Sequence, residues 1–211
     1  MAALSTPRSP LTLAQWRRDV AGHYARVRET AETNPHAAAA EFRVARDALF
    51  AEHPDSPIPP GRRSGWRGAS WYPYDPAWRI LARFEPAATV SLFEIPLAAD
   101  GVARCGRVGT LHFHIGAQAA RLGLYWFHGY GGGLWLPFSD ATTGSTTYGG
   151  GRYLIDTIKG ADLGGNAERF VLDFNFAYNP SCAYDDRWSC PLAPAENRLE
   201  VAVEAGERMP G

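Results

Sequence analysis

RVGTLHFHIGAQAARLGLYWFH, residues Arg107–His128, decides the fold. Leu111, Phe113 and Ile115 fall on one face of an extended chain, and His112 and His114 on the other. That period of two belongs to a half-buried strand. A break at Gly116 separates it from Arg121–His128, which is apolar on both faces, with Leu122, Leu124 and Trp126 sharing the parity of His128. No helix-length pattern fits between the two runs, so they pair antiparallel. Working outward, similar short runs occupy Trp78–Phe84, Thr89–Ile95, Leu134–Phe138, Arg152–Ile158, Phe170–Ala177 and Leu199–Glu204, separated by Gly, Pro, Asn or Asp. The expectation is a mainly β (α+β) chain: an antiparallel β-barrel or sandwich of about eight strands.

Toward the N-terminus the period changes to 3.6. Leu13, Trp16, Val20, Tyr24 and Val27 recur at helical spacing behind Thr12 and Gln15, which have the spacing of a capping box, and predict a helix over 12–30. Asn34-Pro35 is a cap and first-turn pair. Ala38, Phe42, Ala45 and Leu49 form a second stripe, closed by Pro54. The two form an N-terminal helical hairpin. PDSPIPP, residues 54–60, can neither continue a helix nor pair in a central strand. It divides residues 1–60 from a β region over 61–211.

Composition narrows the function classes. The 211 residues carry 21 Lys and Arg against 22 Asp and Glu, so there is no basic field to attract nucleic acid or anionic lipid. No apolar run approaches the ~18 residues of a membrane span. Met1–Pro10 has one Arg and no apolar core of a secretory leader, so the expected compartment is the cytoplasm. Three cysteines without a CxxC pair fit neither a disulfide framework nor a closed zinc site; at most Cys182 and Cys190 could bridge one loop. GxSxG, HExxH and the nucleotide-loop patterns are absent. Trp66, Trp71, Tyr72, Tyr74 and Trp78 cluster at the entry to the β region, with only Arg62, Arg63 and Arg67 as local basic groups, and suit a core or barrel-end plug better than a base-stacking platform.

Three constellations have chemical potential. In DFNFAYNP, an extended chain would put Phe170, Leu172, Phe174 and Phe176 on one face and Asp173 and Asn175 on the other, with Tyr178 and Asn179 following at the strand end. A carboxylate, two amides and a phenol there suit acid–base work on a polar ligand, or equally the satisfaction of loop backbone. In TYGGGRY, three glycines precede Arg152, whose guanidinium suits anion capture or a structural pairing with Asp156 or Asp173. His112, His114 and His128 are the alternative: three imidazoles inside a barrel would resemble cupin-like metal ligation in ligand type.

LFAEHPDSPI (Leu49–Ile58), WYPYDPAWR (Trp71–Arg79), LPFSDATTGSTTYGGGRY (Leu136–Tyr153) and DFNFAYNPSCAYDDRWSCPLAPAENRL (Asp173–Leu199) resemble the bacterial and archaeal family catalogued as domain of unknown function 1684. The resemblance runs from Leu49 to Glu207. It implies that the Tyr148–Tyr153 turn and the Asp173–Arg198 block make up the family pattern, and it brings no reaction or catalytic residue with it. His112 and His114 stand where that pattern more often has non-ligand residues.

The expected function is binding of a small organic molecule in the interior or mouth of the barrel, with metal-free acid–base catalysis of cyclase, isomerase or hydrolase type as the enzymatic form. Asp173, Tyr178 and Arg152 are the catalytic candidates; Asn175, Asn179, Tyr148, Tyr153, Trp126 and His128 are the ligand-binding ones. No cofactor is expected, the alternative being a divalent metal on His112, His114 and His128, and a non-catalytic carrier is the third possibility. The partner is a small-molecule ligand, without nucleic acid or membrane, and a second copy in a possible homodimer.

Overall fold

A computed structural model describes residues 9–97 and 101–210. The first eight residues, on which the leader reading mostly rests, lie outside them. Helix α1 spans Pro10–Thr30 and α2 spans Pro35–Glu52. Asn34 caps α2 as expected, its side chain accepting from Ala37 N at 3.1 Å. The start of α1 differs. Ser9 is the cap, accepting from Leu11 N at 3.2 Å, with Pro10 in the first turn, where its missing N–H costs nothing. Thr12 is already helical and donates to Ser9 O at 2.8 Å, while Gln15 turns outward to Asp19. Trp16 stacks on Phe50 and Tyr24 meets Phe42 edge-on, pairings that run in opposite directions along the two helices and make the hairpin antiparallel. A one-turn helix α3, Pro60–Arg63, follows the Pro-rich connection.

Seven strands follow: β1 Arg79–Pro86, β2 Leu92–Leu97, β3 Gly101–Ile115, β4 Gln118–Phe127, β5 Gly133–Phe138, β6 Arg152–Asp156 and β7 Arg169–Asp173. They form one curled antiparallel sheet in the order β6-β5-β4-β3-β1-β7, with β2 also on β3. The length of β3 makes this possible: Gly101–Gly106 pairs with β2, and beyond a bulge before Gly109 the strand pairs with β1. Gly109 is required at the crossing, because a Cβ there would lie 2.3 Å from Phe84. At the far side Tyr153 and Tyr178 exchange both backbone hydrogen bonds, at 2.9 and 3.0 Å, so the chain beyond β7 returns to β6.

Leu199–Glu204 is not an eighth strand. Its backbone makes single bonds to the segment after β5, Leu199 N to Ser139 O and Ala141 N to Val201 O, without a ladder. Its apolar alternation has another use: Leu199, Val203 and Ala205 fill the inside of the curl with Leu111, Leu124 and Leu136. The inside of the sheet is thus a packed core. The outer face of β4–β6 is buried as well, since Tyr125, Trp135 and Tyr153 lie in one cluster with Tyr24, Val27 and Phe42 of the helices. This explains why Arg121–His128 looked apolar on both faces.

Candidate functional site

The strand expected over Phe170–Ala177 stops at Asp173 and turns through a 3-10 segment, Phe174–Phe176. Asp173 causes the turn, its Oδ1 accepting from Asn175 N at 3.1 Å and Asn175 Nδ2 at 2.9 Å. The turn sends Phe174 and Phe176 into different cores, one inside the curl and one under the helices, where a continuing strand would have kept them on one face. Asn175 is spent on the Asp75 backbone, donating to its O at 2.8 Å and accepting from its N at 3.0 Å. Asp173 also pairs with Arg79 at 3.4 Å. Burial pushes its carboxyl up, opposed by the Asn175 and Arg79 bonds. Asp173 and Asn175 are brought together, with all their contacts made to the protein.

Arg152 is equally committed. Its partner is Asp140, at 2.8 Å from Nη2, rather than Asp156 or Asp173; Nη2 also reaches Val203 O and Nη1 reaches Glu207 O and Ala205 O, leaving only the buried Nε without a partner among the described residues. Both side chains are fully buried. The preceding Gly151 has φ 81°, and a Cβ there would meet Phe138 O at 2.6 Å. The glycine turn therefore aims a guanidinium inward to hold the C-terminal segment against the sheet.

Beyond the 3-10 turn the picture changes. Tyr178 and Asn179 line a cavity of about 50 Å³ between the helices and the sheet, with Tyr24, Arg46 and Lys159. Sharing Trp16, Lys159 and Ser181, it adjoins an outer cleft of about 440 Å³ bordered by Leu13, Trp188 and Cys190. Four residues that line the cavity each carry a buried polar atom without a hydrogen-bond partner among the described residues: Tyr24 Oη, Tyr178 Oη, Asn179 Oδ1 and Arg46 Nε. Their own elements are held firmly. Asn179 N donates to Glu207 Oε2 at 2.6 Å and Asn179 Nδ2 to Arg208 O at 2.7 Å. Arg46 Nη2 pairs with Glu207 Oε2 at 3.0 Å, and its guanidinium lies over the Tyr178 ring at 5.1 Å. Burial pushes both phenols well above the usual tyrosine range, keeping them protonated as donors. Lys159, half exposed and 3.5 Å from Asp156, contributes a cation at the junction with the outer cleft.

Tyr148, in the loop before β6, and Tyr153, on β6, both reach the segment that follows Tyr178. Tyr153 donates to Pro191 O and packs edge-on to Tyr178; Tyr148 donates to Cys182 Sγ at 3.6 Å. Trp126 and His128 lie elsewhere, at the end of β4, where His128 N bonds Arg104 O. His112, opposite Arg121 in the β3–β4 ladder and 3.3 Å from Glu85, is eight strand positions from Arg104, roughly 26 Å along β3. The three histidines do not converge, and among the described residues no group of three His, Cys, Asp or Glu is arranged to hold a metal. No helix of the described residues is long and apolar enough to cross a membrane.

Sequence reasoning missed Tyr24, Arg46, Lys159, Trp16 and Glu207 as site residues. For Arg46 a signal existed: it stands midway between Phe42 and Phe50 at i+4 spacing, a charge inside the buried stripe of α2. Glu207 has no comparable local mark.

Comparison with known proteins adds the lineage. A solution NMR structure of an uncharacterized protein of Haloarcula marismortui is similar at 36% identity over 80% of this chain and 91% of that one, with a TM-score of 0.57. No curated protein matches. The model of a family described as "Protein of unknown function (DUF1684)" matches residues 64–208, which hold the whole sheet together with Tyr178, Asn179 and Glu207. The chain belongs to the DUF1684 family.

Proposed function

We propose that this protein binds a small organic molecule in the cleft between α1, α2 and the Tyr178–Cys190 loop. The observation that carries this reading is that four residues lining one 50 Å³ cavity each carry a buried polar atom with no partner. A buried donor or acceptor left unpaired costs about 1–3 kcal/mol, so a fold that gathers several around one opening gains when a ligand pairs them. The chemistry selects the ligand's head. An oxygen of a carbonyl or carboxylate accepts from the Tyr24 and Tyr178 hydroxyls, and an N–H or O–H donates to Asn179 Oδ1. The outer cleft, between Trp16, Leu13 and Trp188, takes an apolar body. Lys159 at the junction favours a negative charge on the head. The packed inside of the sheet leaves no room for a ligand there, which supports a cleft outside it.

Of the catalytic candidates only Tyr178 lines the cleft, so any acid–base step on the ligand falls to it as the proton donor. The reading is metal-free, uses no nucleic acid or membrane, and places the protein in the cytoplasm. Native mass spectrometry of freshly purified protein tests it when compared with the denatured mass. An organic adduct that Tyr178→Phe and Asn179→Ala lose is the expected result. If no adduct forms, and a panel of small aromatic and aliphatic carboxylates and amides leaves the thermal midpoint unmoved, the reading fails.

A further inference from the structure

Strand β4 has a partner on both sides for only part of its length. Its ladder with β3 runs from Gln118 to Phe127, but its ladder with β5 covers Tyr125–Phe127 alone and ends at Trp135. Carried on in the same register, that ladder would next set Pro137 opposite Gly123, and proline has no N–H to give. The Asn197 side chain takes the place instead. Its Oδ1 accepts from Gly123 N at 2.8 Å, and its Nδ2 donates to Gly123 O at 2.9 Å and to Pro137 O at 2.7 Å. One side-chain amide thus stands in for a missing strand residue.

Beyond that plug the edge is open. Gly123 turns both its backbone groups away from β3, and alternate residues of an antiparallel strand do the same, so Arg121 and Ala119 present their N–H and C=O to the free side. A second backbone edge borders the same space. Ser139 N donates to Asn197 O, Leu199 N to Ser139 O and Ala141 N to Val201 O, so Asn197, Leu199 and Val201 turn toward the segment after β5. Arg198 and Glu200 between them turn the other way, where no backbone group among the described residues bonds them. Ala119, Arg121, Arg198 and Glu200 line one groove of about 400 Å³, and Leu199 and Val201 give it an apolar side. The groove shares no lining residue with the Tyr178 cleft or its outer extension.

We propose that this groove takes an extended peptide with acidic side chains, which joins β4 as an added strand. Two open backbone edges on one groove ask for a ligand with N–H and C=O groups alternating along both its sides, and an extended peptide is that chemistry. Ala119 to Arg121 measures about 7 Å of strand, so some three peptide residues span it. Charge selects their side chains. Leu122 and Leu199 point into the core, so their neighbours Arg121 and Arg198 point together to the opposite face. Among the described residues neither arginine makes an ion pair. The other charged groups of the lining are mostly engaged: Glu196 lies 3.8 Å from Arg107 and accepts from the Tyr125 hydroxyl, and His112 lies 3.3 Å from Glu85. Glu200 alone opposes the two arginines, which leaves the cations in excess. A bound strand therefore lays alternate apolar residues toward Leu199 and Val201, and carboxylates toward Arg121 and Arg198.

The probe is an acetylated and amidated heptapeptide of alternating Val and Glu, set beside a Val and Lys counterpart and a Val and Glu version N-methylated at every second residue. At saturation in low salt the Glu peptide is expected to slow amide exchange at Ala119 and Arg121 by about tenfold or more, while Gly123, already bonded to Asn197, stays as it was. The Lys and N-methylated peptides give no such protection. Arg121→Glu combined with Arg198→Glu changes two exposed side chains, keeps the thermal midpoint and reverses the preference to the Lys peptide. Tyr178→Phe leaves the protection in place. The proposal is overturned if the Glu peptide leaves both amides unprotected, if the N-methylated peptide protects them equally, or if charge reversal in a folded variant changes nothing. Protection that needs no peptide and grows with protein concentration also overturns it, since a second copy then occupies the edge.

Discussion

Arg46 Nη2 lies 3.0 Å from Glu207 Oε2, joining the middle of α2 to a residue 161 positions later, and the Glu207 side chain is completely buried. The same carboxylate accepts from the Asn179 backbone at 2.6 Å and from the Tyr184 hydroxyl. One acidic group thus sets the wall of the cleft and fastens helices, sheet and C-terminal segment to each other.

Removing one partner of such a pair leaves the other charged and dry. Glu207→Ala is expected to cost roughly 3–5 kcal/mol, and Arg46→Met a similar amount. In Arg46→Met plus Glu207→Ala the losses should be far from additive. Urea unfolding of the four proteins measures this; additive losses would mean that the two residues act independently.

Tyr24 and Tyr178 bury hydroxyls that no protein group satisfies. Replacing either with Phe removes a desolvated dipole and is expected to raise stability by about 1 kcal/mol while weakening the ligand. Denaturation midpoints of the ligand-free proteins, set beside adduct retention, check both halves. A loss of stability in both variants would show that the hydroxyls are already satisfied.

Burial penalises the charged form of Asp173 and pushes its carboxyl above the ordinary 3.8. A group whose folded pKa is raised contributes stability that is full below its unfolded pKa and lost as pH rises through the folded one. Asp173→Asn should therefore gain on wild type as pH climbs from below 3.8 to neutrality. Unfolding midpoints of the two proteins across that range test the sign; a difference that shrinks with pH would mean that Arg79 and Asn175 outweigh burial.

Arg152→Met strands Asp140 in the core and frees the carbonyls of Val203, Ala205 and Glu207. A loss of about 3–5 kcal/mol follows. Hydrogen exchange should locate the loosening in residues 199–208. Exchange unchanged there would separate Arg152 from the C-terminal segment.

The helices, their period and the Asn34 cap were legible in the sequence because they depend on neighbours three or four residues apart. The paired runs 107–115 and 121–128 were legible because alternation is written along a single strand. DFNFAYNP misled at Asp173, where a side chain bonding its own backbone two residues on turned the strand into a 3-10 segment. Leu199–Glu204 misled because alternating apolar residues can plug a core as well as build a ladder. The cleft was only half visible: Tyr178 and Asn179 stood out in the sequence, whereas Tyr24 and Arg46 reach it from segments more than a hundred residues away, and Glu207, which holds Arg46 and Asn179 in place, follows Asn179 by 28 residues with no local mark. Which buried polar atoms are satisfied and which lack a partner depends on that long-range packing. The helical hairpin, the antiparallel strands and the family were written in local pattern; that Asp173 and both terminal nitrogens of Arg152 are taken up by the fold, while the Tyr178 hydroxyl has no partner among the described residues, followed only from packing, because a hydrogen-bonding group is free only after every neighbour has been placed.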